Sequence, residues 1–371
     1  MVRIEQIEVV IADIPTVRPH VLAMTTMHSQ AVVLVFLRRS DGIFGVGEAT
    51  TIGGLAYGEE SPESIKVNIE TYFAPILQSC DADDVAACMA LLSGHIVGNR
   101  FAKCAIETAL LDGLGQARGL PVSELLGGRR VDRLEVAWTL ASGDTALDIE
   151  EGQRVFEARR HRHFKLKIGK RNVEADCAHV GAIAKAFEGK ASVRVDVNQA
   201  WTRGQAAKGA AMLQDAGVVL IEQPLAKSDF EGMAELTANC DIAIMADEAL
   251  TGPDSARQLA KEHAGDAFSL KITQSGGLVP TAEVAVIARE ANIALYGGTM
   301  LEGGIGTAAS AHLFACLPDL VWHTELFGPL LMTEEFLTEP LVYRDFGLVV
   351  PDGPGLGVRV DRGKLELFRR H

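Results

Sequence analysis

The sequence predicts an α/β protein built on a (β/α) barrel, with an N-terminal α+β capping domain that the C-terminal tail completes. Short apolar runs recur along the chain and end in charged residues, at Lys167, Asp196, Glu222, Asp247 and Lys271. The steps between these positions are 29, 26, 25 and 24 residues, the length of one strand, one helix and two loops. Near-continuous apolar runs suit parallel strands that are buried on both faces, as in a (β/α) barrel.

Three further runs bring the predicted barrel to eight strands. They are LEVAWTL before Lys167, and NIALYGG and LVWHTEL after Lys271. Function in such a barrel sits at the C-terminal ends of the strands, so the residues there are the first candidates for a site. The eight predicted strand ends are Trp138, Lys167, Asp196, Glu222, Asp247, Lys271, Gly298 and Glu325.

The start of the chain has a different organisation. Three apolar strands follow one another without helices: residues 3–14, AVVLVFLRR and GIFGVGEA. The pair Asp41-Gly42 between the last two is a strong hairpin signal. The stretch RPHVLAMTTMHSQ (residues 18–30) is longer than a hairpin needs, and we interpret it as an active-site loop, with a merely mobile loop as the alternative.

Helices follow these strands and define the domain boundaries. One helix is predicted to begin at Pro62 and another to run from about residue 101 to 118, before a glycine. Strands followed by helices mark a separate α+β domain, which we assign to residues 1–130. We assign residues 131–328 to the barrel. Residues 329–371, which are rich in Gly and Pro, are predicted to pack back on the capping domain.

The composition excludes several classes of protein. A net charge of −14 opposes binding to nucleic acid, which needs a basic surface. No apolar run approaches the ~18 residues of a membrane span, and MVRIEQIEVV lacks the apolar core of a signal peptide. The six cysteines are scattered without a C-x-x-C pair, which predicts reduced thiols. We therefore expect a cytoplasmic protein that acts on a small molecule.

Asp196, Glu222 and Asp247 end three successive predicted strands and should converge at one end of the barrel. Three carboxylates in one small volume raise one another's pKa unless a cation lies among them. Oxygen-only ligation suits Mg²⁺ or Mn²⁺, with positions left open for water or a substrate carboxylate. Solvated charge at strand ends is the alternative, but three carboxylates in consecutive units, flanked by lysines, favour a metal site.

Two lysines precede the carboxylates and one follows them. Lys165 and Lys167 lie two residues apart on one strand, so their side chains point the same way. Two ammonium groups held together near a metal favour loss of a proton, and a lysine whose pKa is lowered can act as a general acid or base. Lys271 would approach a ligand from the opposite face. Schiff-base chemistry and phosphate contact are alternatives, and the Schiff-base hypothesis leaves the carboxylates without a role.

A glycine-rich motif suggests a competing hypothesis. Residues 304–309 match G-x-G-x-x-A, and Glu325 lies about twenty residues further on, as in a dinucleotide-binding fingerprint. The motif comes late in the chain, and residues 299–302 separate it from the preceding predicted strand. A barrel's seventh loop and helix N-terminus would also be rich in glycine, so we favour that interpretation.

At these residues the chain resembles the muconate-lactonizing subgroup of the enolase superfamily, over essentially its whole length. The shared motifs are KLK at residues 165–167, the acidic residues that end three successive strands, Lys271 and Glu325. Lysine bases combined with Mg²⁺ are typical of enolase-superfamily sites. Longer segments narrow the resemblance to members that act on cis,cis-muconate: GEATTIGGLAYG, VAWTLASGDT, RRHRHFKLKIG, YGGTMLEGGIGT and TELFGPLL.

The resemblance implies an activity, a cofactor and an assembly. The implied reaction is the reversible cycloisomerisation of cis,cis-muconate, a dicarboxylate, to muconolactone in the catabolism of aromatic compounds. One carboxylate adds across the double bond conjugated to the other, and an enolate forms at that second carboxylate. The implied cofactor is Mn²⁺ or Mg²⁺, which stabilises the developing charge. Members of the family assemble into homo-oligomers.

The resemblance also implies roles for the residues at the strand ends. Asp196, Glu222 and Asp247 would bind the metal. Lys167 would protonate the α-carbon of the enolate, and Lys165 would lower the pKa of Lys167 and contact the substrate carboxylate. On the other face Lys271 would contribute charge, while Glu325 would donate a hydrogen bond in its protonated form.

Further roles fall on flanking residues. Ile52 and Tyr57 would contact the substrate rather than the metal, in a loop that closes over the substrate together with residues 18–30. Asn198 and Glu248 would support the metal ligands from outside the ligand shell.

Three other functions stay open at this point. Through VDVNQAW and DAFSLKI the chain is also similar to members that cyclise chloromuconate. A racemase or dipeptide epimerase of the subgroup would use Lys167 and Lys271 as opposed bases. A non-enzymatic scaffold on the same fold would bind the metal ion without turnover.

Overall fold

The chain begins with an antiparallel sheet of three strands. The computed structural model describes residues 1–318 and 320–371. Its first sheet has the strand order β1-β2-β3, with β1 (Ile4–Val21), β2 (Thr26–Arg39) and β3 (Phe44–Thr51). Gly42, in the turn between β2 and β3, has a φ of +86°, which glycine adopts without strain. The predicted Asp41-Gly42 hairpin is confirmed.

The prediction of a loop at residues 18–30 is wrong. Both strands extend through this stretch and leave a short turn, in which the Leu22 N–H donates to the carbonyl of Thr25 (2.9 Å). The register of β1 against β2 shifts between Pro15 and His20, since prolines in this stretch cannot donate to the ladder. The shift interrupts the alternating pattern by which a strand is identified in a sequence.

Helices cover one face of this sheet. A Cβ on Gly47 of β3 would lie 1.9 Å from the carbonyl oxygen of Ala105, so the helix that contains Ala105 packs closely only because residue 47 is glycine. A π-helical segment, Ile69–Phe73, joins the first two helices. The helices are α1 (Pro62–Asn68), α2 (Ala74–Leu77), α3 (Val85–His95), α4 (Arg100–Arg118) and α5 (Val122–Leu125).

The predicted strand LEVAWTL is wrong as a single element. It divides into β4 (Arg133–Glu135) and β5 (Trp138–Leu140). Between them the Val136 N–H donates to the carbonyl of Phe346 (3.0 Å), which draws β4 toward the tail. Trp138, predicted as a strand end, is the first residue of β5. The division depends on contacts with distant residues, which the local apolar pattern does not report.

Seven strands form one curled parallel sheet, in which each strand pairs with the next along the chain. This arrangement confirms the predicted α/β class. After β5 its strands are β6 (His163–Lys167), β7 (Ser192–Asp196), β8 (Leu220–Glu222), β9 (Ala243–Ala246), β10 (Ala267–Leu270) and β11 (Ala294–Gly297). Thr324 forms parallel bridges to Gly297 at one edge of this sheet and to Val136 beside the other edge.

Helices alternate with these strands. Several begin at a polar side chain that accepts backbone N–H groups, among them Asp144, Asn172 and Thr202, as N-cap residues do. The helices are α6 (Thr145–Glu157), α7 (Val173–Ala186), α8 (Arg203–Asp215), α9 (Phe230–Asn239), α10 (Pro253–Glu262), α11 (Ile272–Ser275), α12 (Leu278–Glu290) and α13 (Gly304–Cys316).

The tail returns to the first part of the chain. The Arg370 N–H donates to the carbonyl of Ile11 (2.8 Å), and the Leu356 N–H donates to the carboxylate of Asp112 (2.8 Å). Through these two bonds the tail contacts β1 and α4. The tail elements are α14 (Gly328–Leu331), β12 (Tyr343–Arg344), β13 (Gly347–Val349) and α15 (Arg362–Leu367), and β13 pairs with β4.

In the part of the chain that the structure describes, no helix combines the length and the apolar character needed to cross a bilayer.

Candidate metal and catalytic site

The carboxyl ends of neighbouring strands bring the predicted metal ligands together. Asp196 ends β7, Glu222 ends β8, and Asp247 directly follows β9. Because these strands are neighbours in the sheet, one carboxylate oxygen from each lies within 4.8 Å of the others. All three side chains are buried. The arrangement can hold an oxygen-ligated divalent ion.

Lys165 is the basic residue that contacts Glu222, and two further carboxylates lie close to it. Among the described residues, none donates a well-formed hydrogen bond to either of its oxygens, although the Lys165 Nζ lies 2.7 Å from Oε2. Burial and the neighbouring carboxylate of Asp196 raise the pKa of Glu222 well above its usual range. A buried carboxylate in this condition fits a metal ligand, because a cation would remove both causes of the shift.

The three lysines surround the carboxylates. The Lys167 Nζ donates to Asp196 (2.5 Å), and the Lys271 Nζ donates to Asp247 (2.7 Å). Lys165 lies between Glu222 and Glu325, with Nζ at 2.7 Å from an oxygen of each. The structure therefore places Lys165 and Lys167 on one side of the carboxylates and Lys271 on the other, as their strand order predicts.

The carboxylates around Lys165 decide the direction of its pKa shift, and the loss of a proton from the lysine pair near a bound metal stays a prediction. Burial alone lowers the pKa of Lys165, but the carboxylates of Glu222, Glu325 and Asp196 outweigh burial and raise it well above its usual range. For Lys271, burial again lowers the pKa, but Asp247 and the other carboxylates raise it by more, so the net shift is upward. The carboxylates decide the direction because they lie within hydrogen-bonding distance of the ammonium groups.

Glu325 accepts hydrogen bonds at both oxygens, and the hydrogen bond that its protonated form would donate stays a prediction from the resemblance. Its Oε2 accepts from Lys165 (2.7 Å), and its Oε1 accepts from the hydroxyl of Thr139 (3.0 Å). Thr139 lies in β5, next to the segment that carries Glu325. Thr139 was missed from the sequence, since a lone threonine in an apolar run carries no signal of its own.

Asn198 and Glu248 lie beside the carboxylates, as predicted. The Asn198 backbone N–H donates to Asp196 (2.8 Å), and its side-chain amide donates to Glu248 (3.1 Å). Asn198 has a φ of +45°, a left-handed conformation that asparagine tolerates better than most residues. Burial and the charge of Asp247 raise the pKa of Glu248 to about 8.

Two glutamines hold the strand ends in place, and the sequence reasoning missed both. The side-chain carbonyl of Gln223 accepts from the backbone N–H of Asp247 (2.9 Å), which ties β8 to the end of β9. The side-chain amide of Gln274 donates to the carbonyls of Asp247 (2.7 Å) and Leu250 (2.6 Å). The position of Gln223 directly after Glu222 was the available signal. For Gln274 only the fold identifies the contact.

The N-terminal part of the chain covers this site. Ile52 and Tyr57 line the same pocket as Lys165, Lys167 and Lys271, together with hairpin residues His20, Leu22 and Met24. The Tyr57 hydroxyl lies 2.9 Å from Asp247 and accepts from the Lys271 Nζ (2.7 Å). Tyr57 thus contacts a proposed ligand side chain, and its contact with the substrate rather than the metal stays a prediction. Tyr57 meets Asp247 because the loop after β3 folds down onto β9, a contact between residues far apart in sequence.

His20 is a pocket residue that the sequence did not reveal. Its side chain is buried and its Nδ1 has no hydrogen-bond partner among the described residues. Burial and the charge of Lys167 lower the pKa of His20 to about 3, so the imidazole is neutral. Because residues 18–30 were predicted as a loop, His20 was not recognised as a residue of β1 beside the pocket.

The glycine-rich motif is not available to a dinucleotide phosphate. Helix α13 begins at Gly304, and its N-terminal N–H groups already donate to the buried carboxylate of Glu48, from Gly303 (2.5 Å) and Gly306 (2.7 Å). Because a carboxylate occupies the position in which a helix N-terminus binds a phosphate, the dinucleotide hypothesis is excluded here.

Comparisons with known proteins agree with this site. Muconate cycloisomerase 1-2 of Acinetobacter lwoffii is 58% identical over 369 residues, covering 100% of this chain and 96% of the relative. A crystal structure of muconate lactonizing enzyme from Pseudomonas fluorescens, complexed with muconolactone, matches with a TM-score of 0.98 and 56% identity, covering 99% of each chain. A chloromuconate cycloisomerase of Cupriavidus necator is 43% identical over 368 residues, covering 99% of both chains.

Two family models together span most of the chain. The model described as "Mandelate racemase / muconate lactonizing enzyme, N-terminal domain" matches residues 6–127. The model described as "Enolase C-terminal domain-like" matches residues 148–364. The resemblance found in the sequence is confirmed, and the chain belongs to the mandelate racemase and muconate lactonizing enzyme family of the enolase superfamily.

Proposed function

We propose that this chain is a muconate cycloisomerase, an isomerase that converts cis,cis-muconate reversibly to muconolactone. The observation that carries the proposal is the site itself: three buried carboxylates on neighbouring strand ends, with lysines on both sides, under a pocket wall from the N-terminal sheet. The 58% identity to a muconate cycloisomerase over the whole chain supports this substrate.

Asp196, Glu222 and Asp247 are the proposed ligands of a divalent cation, Mn²⁺ or Mg²⁺. The unpartnered oxygens of Glu222 and its raised pKa support this assignment. When bound, the cation supplies positive charge that stabilises the enolate formed during lactonisation. Asn198 and Glu248 orient Asp196 from outside the ligand shell through the hydrogen bonds described above.

Lys167 is the proposed general acid, which delivers a proton to the α-carbon of the enolate. It is the more exposed of the two lysines on β6, with 12% of its side chain accessible, whereas Lys165 is 2% exposed and enclosed by carboxylates. Lys165 orients the substrate carboxylate and holds Glu325 in place. Lys271 adds positive charge from the other face, next to Tyr57.

The domain boundaries and the closure of the barrel are part of the same proposal. We place the capping domain at residues 1–130, a closed barrel at residues 131–328, and the completing tail at residues 329–371. The bridges of Thr324 to both Gly297 and Val136 support closure, with the segment around Thr324 as the eighth strand. The six cysteines are free thiols, as a reducing cytoplasm would keep them, and homo-oligomeric assembly stays a prediction from the resemblance.

An ultraviolet assay tests the proposed function. With Mn²⁺ present, the purified protein should remove the conjugated-diene absorbance of cis,cis-muconate and yield muconolactone. Metal binding without turnover would support a scaffold, and exchange of an α-proton in a dipeptide without lactone formation would support an epimerase.

Chloromuconate cycloisomerisation is the second candidate, because a chloromuconate cycloisomerase is 43% identical over nearly the whole chain. The higher identity to muconate cycloisomerases favours the unchlorinated substrate. The ratio of kcat/KM for muconate to that for chloromuconate, measured in the same assay, decides between them.

Tyr57→Phe is expected to affect both substrate and metal. Loss of the hydroxyl removes its contacts to Asp247 and Lys271, so KM for muconate should rise about tenfold and metal affinity should fall several-fold. Steady-state kinetics at several metal concentrations measure the two effects separately. Tyr72→Phe, on an exposed tyrosine, is the matched control. Unchanged kinetics in Tyr57→Phe would show that the hydroxyl contributes neither to substrate binding nor to metal binding.

Arg18→Ala is expected to loosen the hairpin that covers the pocket. The Arg18 guanidinium donates to the Thr139 carbonyl (2.7 Å) and to Glu151 of α6 (3.4 Å), which fixes β1 against the barrel strands. We expect kcat/KM for muconate to fall about tenfold, since small displacements of a pocket wall are costly in catalysis. Metal affinity should not change. Arg154→Ala, at an exposed position of α6, should leave kcat/KM unchanged, and an equal loss there would contradict this role.

A further inference from the structure

A second cluster of potential metal ligands lies at the opposite ends of the strands. Glu135 ends β4, His163 begins β6, and His323 directly precedes Thr324, which bridges the two edges of the parallel sheet. Because Glu135 also precedes β5, the three residues lie on the N-terminal side of the segments that follow them, whereas the site proposed above lies at the C-terminal ends of the strands. The established and proposed chemistry uses none of them.

The side chains of this cluster converge. One ligand atom of each lies within 4.8 Å of the others. The Nε2 atom of His163 is 2.9 Å from Oε2 of Glu135, and the rings of His163 and His323 stack with their centroids 4.2 Å apart. All three residues are partly buried, so solvent can reach the cluster from one side.

We propose that Glu135, His163 and His323 form a binding site for a divalent transition-metal ion of the Zn²⁺ class. Two imidazoles and one carboxylate are a common ligand set for zinc, with water in the fourth position. Imidazole ligands prefer Zn²⁺ over Mg²⁺, whereas the oxygen-only set of Asp196, Glu222 and Asp247 suits Mg²⁺ or Mn²⁺. The chain thus carries two cation sites with different preferences, one at each end of the parallel strands.

The hydrogen bonds around His163 are arranged as they are around a metal ligand. Its Nδ1 atom lies 2.7 Å from the hydroxyl of Ser192, the residue paired with it on β7. A hydroxyl can donate or accept, so Ser192 can hold the tautomer in which Nδ1 carries the proton. In that tautomer the lone pair of Nε2 is free for a cation, which takes the place of the Nε2 proton that the other tautomer donates to Glu135.

Partial burial favours the neutral form of both imidazoles, which is the form that binds a metal ion. Glu135 accepts a hydrogen bond from Arg162, which favours the charged form of its carboxylate.

Arg162 competes for the carboxylate but does not block it. Its guanidinium pairs with both oxygens of Glu135, yet its side chain is 45% exposed, and exposed ion pairs contribute little. A carboxylate has about four acceptor positions, so Glu135 can bind a cation while Arg162 remains hydrogen-bonded. In that arrangement Arg162 orients the ligand in the way that groups outside a metal's ligand shell commonly do.

The backbone of His323 adopts an unusual conformation, as is common where a side chain must be kept in one place. His323 has a φ of +63°, in the left-handed region that non-glycine residues rarely adopt. Such conformations persist where the surrounding structure requires them. A bound ion would join the starts of β6 and of the segments at Glu135 and Thr324, so we expect it to stabilise the fold by binding the native state.

The test is a Zn²⁺ titration of the protein in millimolar Mg²⁺, which occupies the oxygen-only site. We expect one Zn²⁺ per chain by competition with a chromophoric chelator, and a rise in the unfolding temperature. Co²⁺ at the same site should show the intense visible bands of tetrahedral nitrogen and oxygen ligation, whereas octahedral oxygen ligation gives weak bands. His323→Asn, which tolerates a positive φ, and His163→Gln should each weaken Zn²⁺ binding about tenfold or more.

His95→Gln, on an exposed histidine, should bind Zn²⁺ as the unchanged protein does. Muconate turnover in saturating Mn²⁺ should be the same in all these variants, and normal turnover also shows that they fold. Equal Zn²⁺ affinity in His323→Asn, His163→Gln and His95→Gln would overturn the proposal. So would a failure of the unchanged protein to bind Zn²⁺ in Mg²⁺.

Discussion

Glu222→Gln should lose at least about 10³-fold in turnover of muconate, with metal affinity reduced more than about 100-fold. The substitution keeps the shape of the side chain and removes its charge from the centre of the three carboxylates. Because Glu222 lies between Asp196 and Asp247 in strand order, its loss leaves a neutral oxygen in the middle of the ligand set. Isothermal titration with Mn²⁺ and steady-state kinetics on the same preparation measure both effects.

A second buried glutamate is the control for this substitution. Glu107 in α4 is 2% exposed and accepts from the backbone of Val279, away from the three carboxylates. Burial raises the pKa of Glu107 to about 7, so removing its charge costs little near neutrality. Glu107→Gln should keep both metal affinity and turnover. Normal turnover by Glu222→Gln in metal-free buffer would contradict the assignment of the metal site.

Lys167→Ala should abolish lactone formation and the associated proton delivery, whereas Lys271→Ala should only slow the reaction. In heavy water the unchanged enzyme should place one deuterium on the α-carbon of the lactone with a single configuration. This follows because Lys167 projects from β6 and reaches one face of the enolate, with the carboxylates between it and Lys271. The loss in Lys167→Ala should be at least about 10²-fold, the usual contribution of a general acid.

The position and configuration of the label, read by NMR of the product, test this assignment. Lys271→Ala should give the same configuration at a lower rate, because it removes charge and no proton donor. Lys170→Ala, an exposed lysine on the loop after β6, should match the unchanged enzyme. A label on both faces, or an inverted configuration in Lys271→Ala, would assign the acid to the wrong lysine.

Strands of the parallel sheet were predictable where a short apolar run is closed by a charged residue. Runs ending at Lys167, Asp196 and Glu222 became β6, β7 and β8 with those residues last. Parallel strands buried on both faces need apolar side chains throughout, so their signal is local and independent of their partners. The helix over residues 101–118 was likewise set by local periodicity and by the glycine that follows it.

The local sequence did not predict the hairpin at residues 18–30 or the division of LEVAWTL into two strands. The first depends on the pairing of β1 with β2 and on the register shift between Pro15 and His20, and the second depends on the pairing of β4 with β13, far along the chain. Such pairing overrides weak local preference, which is why β-structure is harder to predict than helix or buried strand.

What the sequence alone determined was the set of charged residues and the order in which the strands present them. Tertiary structure decided the rest: which carboxylate faces which lysine, that Tyr57 reaches Asp247, and that Lys165 lies between Glu222 and Glu325. It also decided the direction of the pKa shift at Lys165, which depends on carboxylates from other segments of the chain. The physical reason is that electrostatic interactions depend on distance and burial, and neither follows from position along the chain.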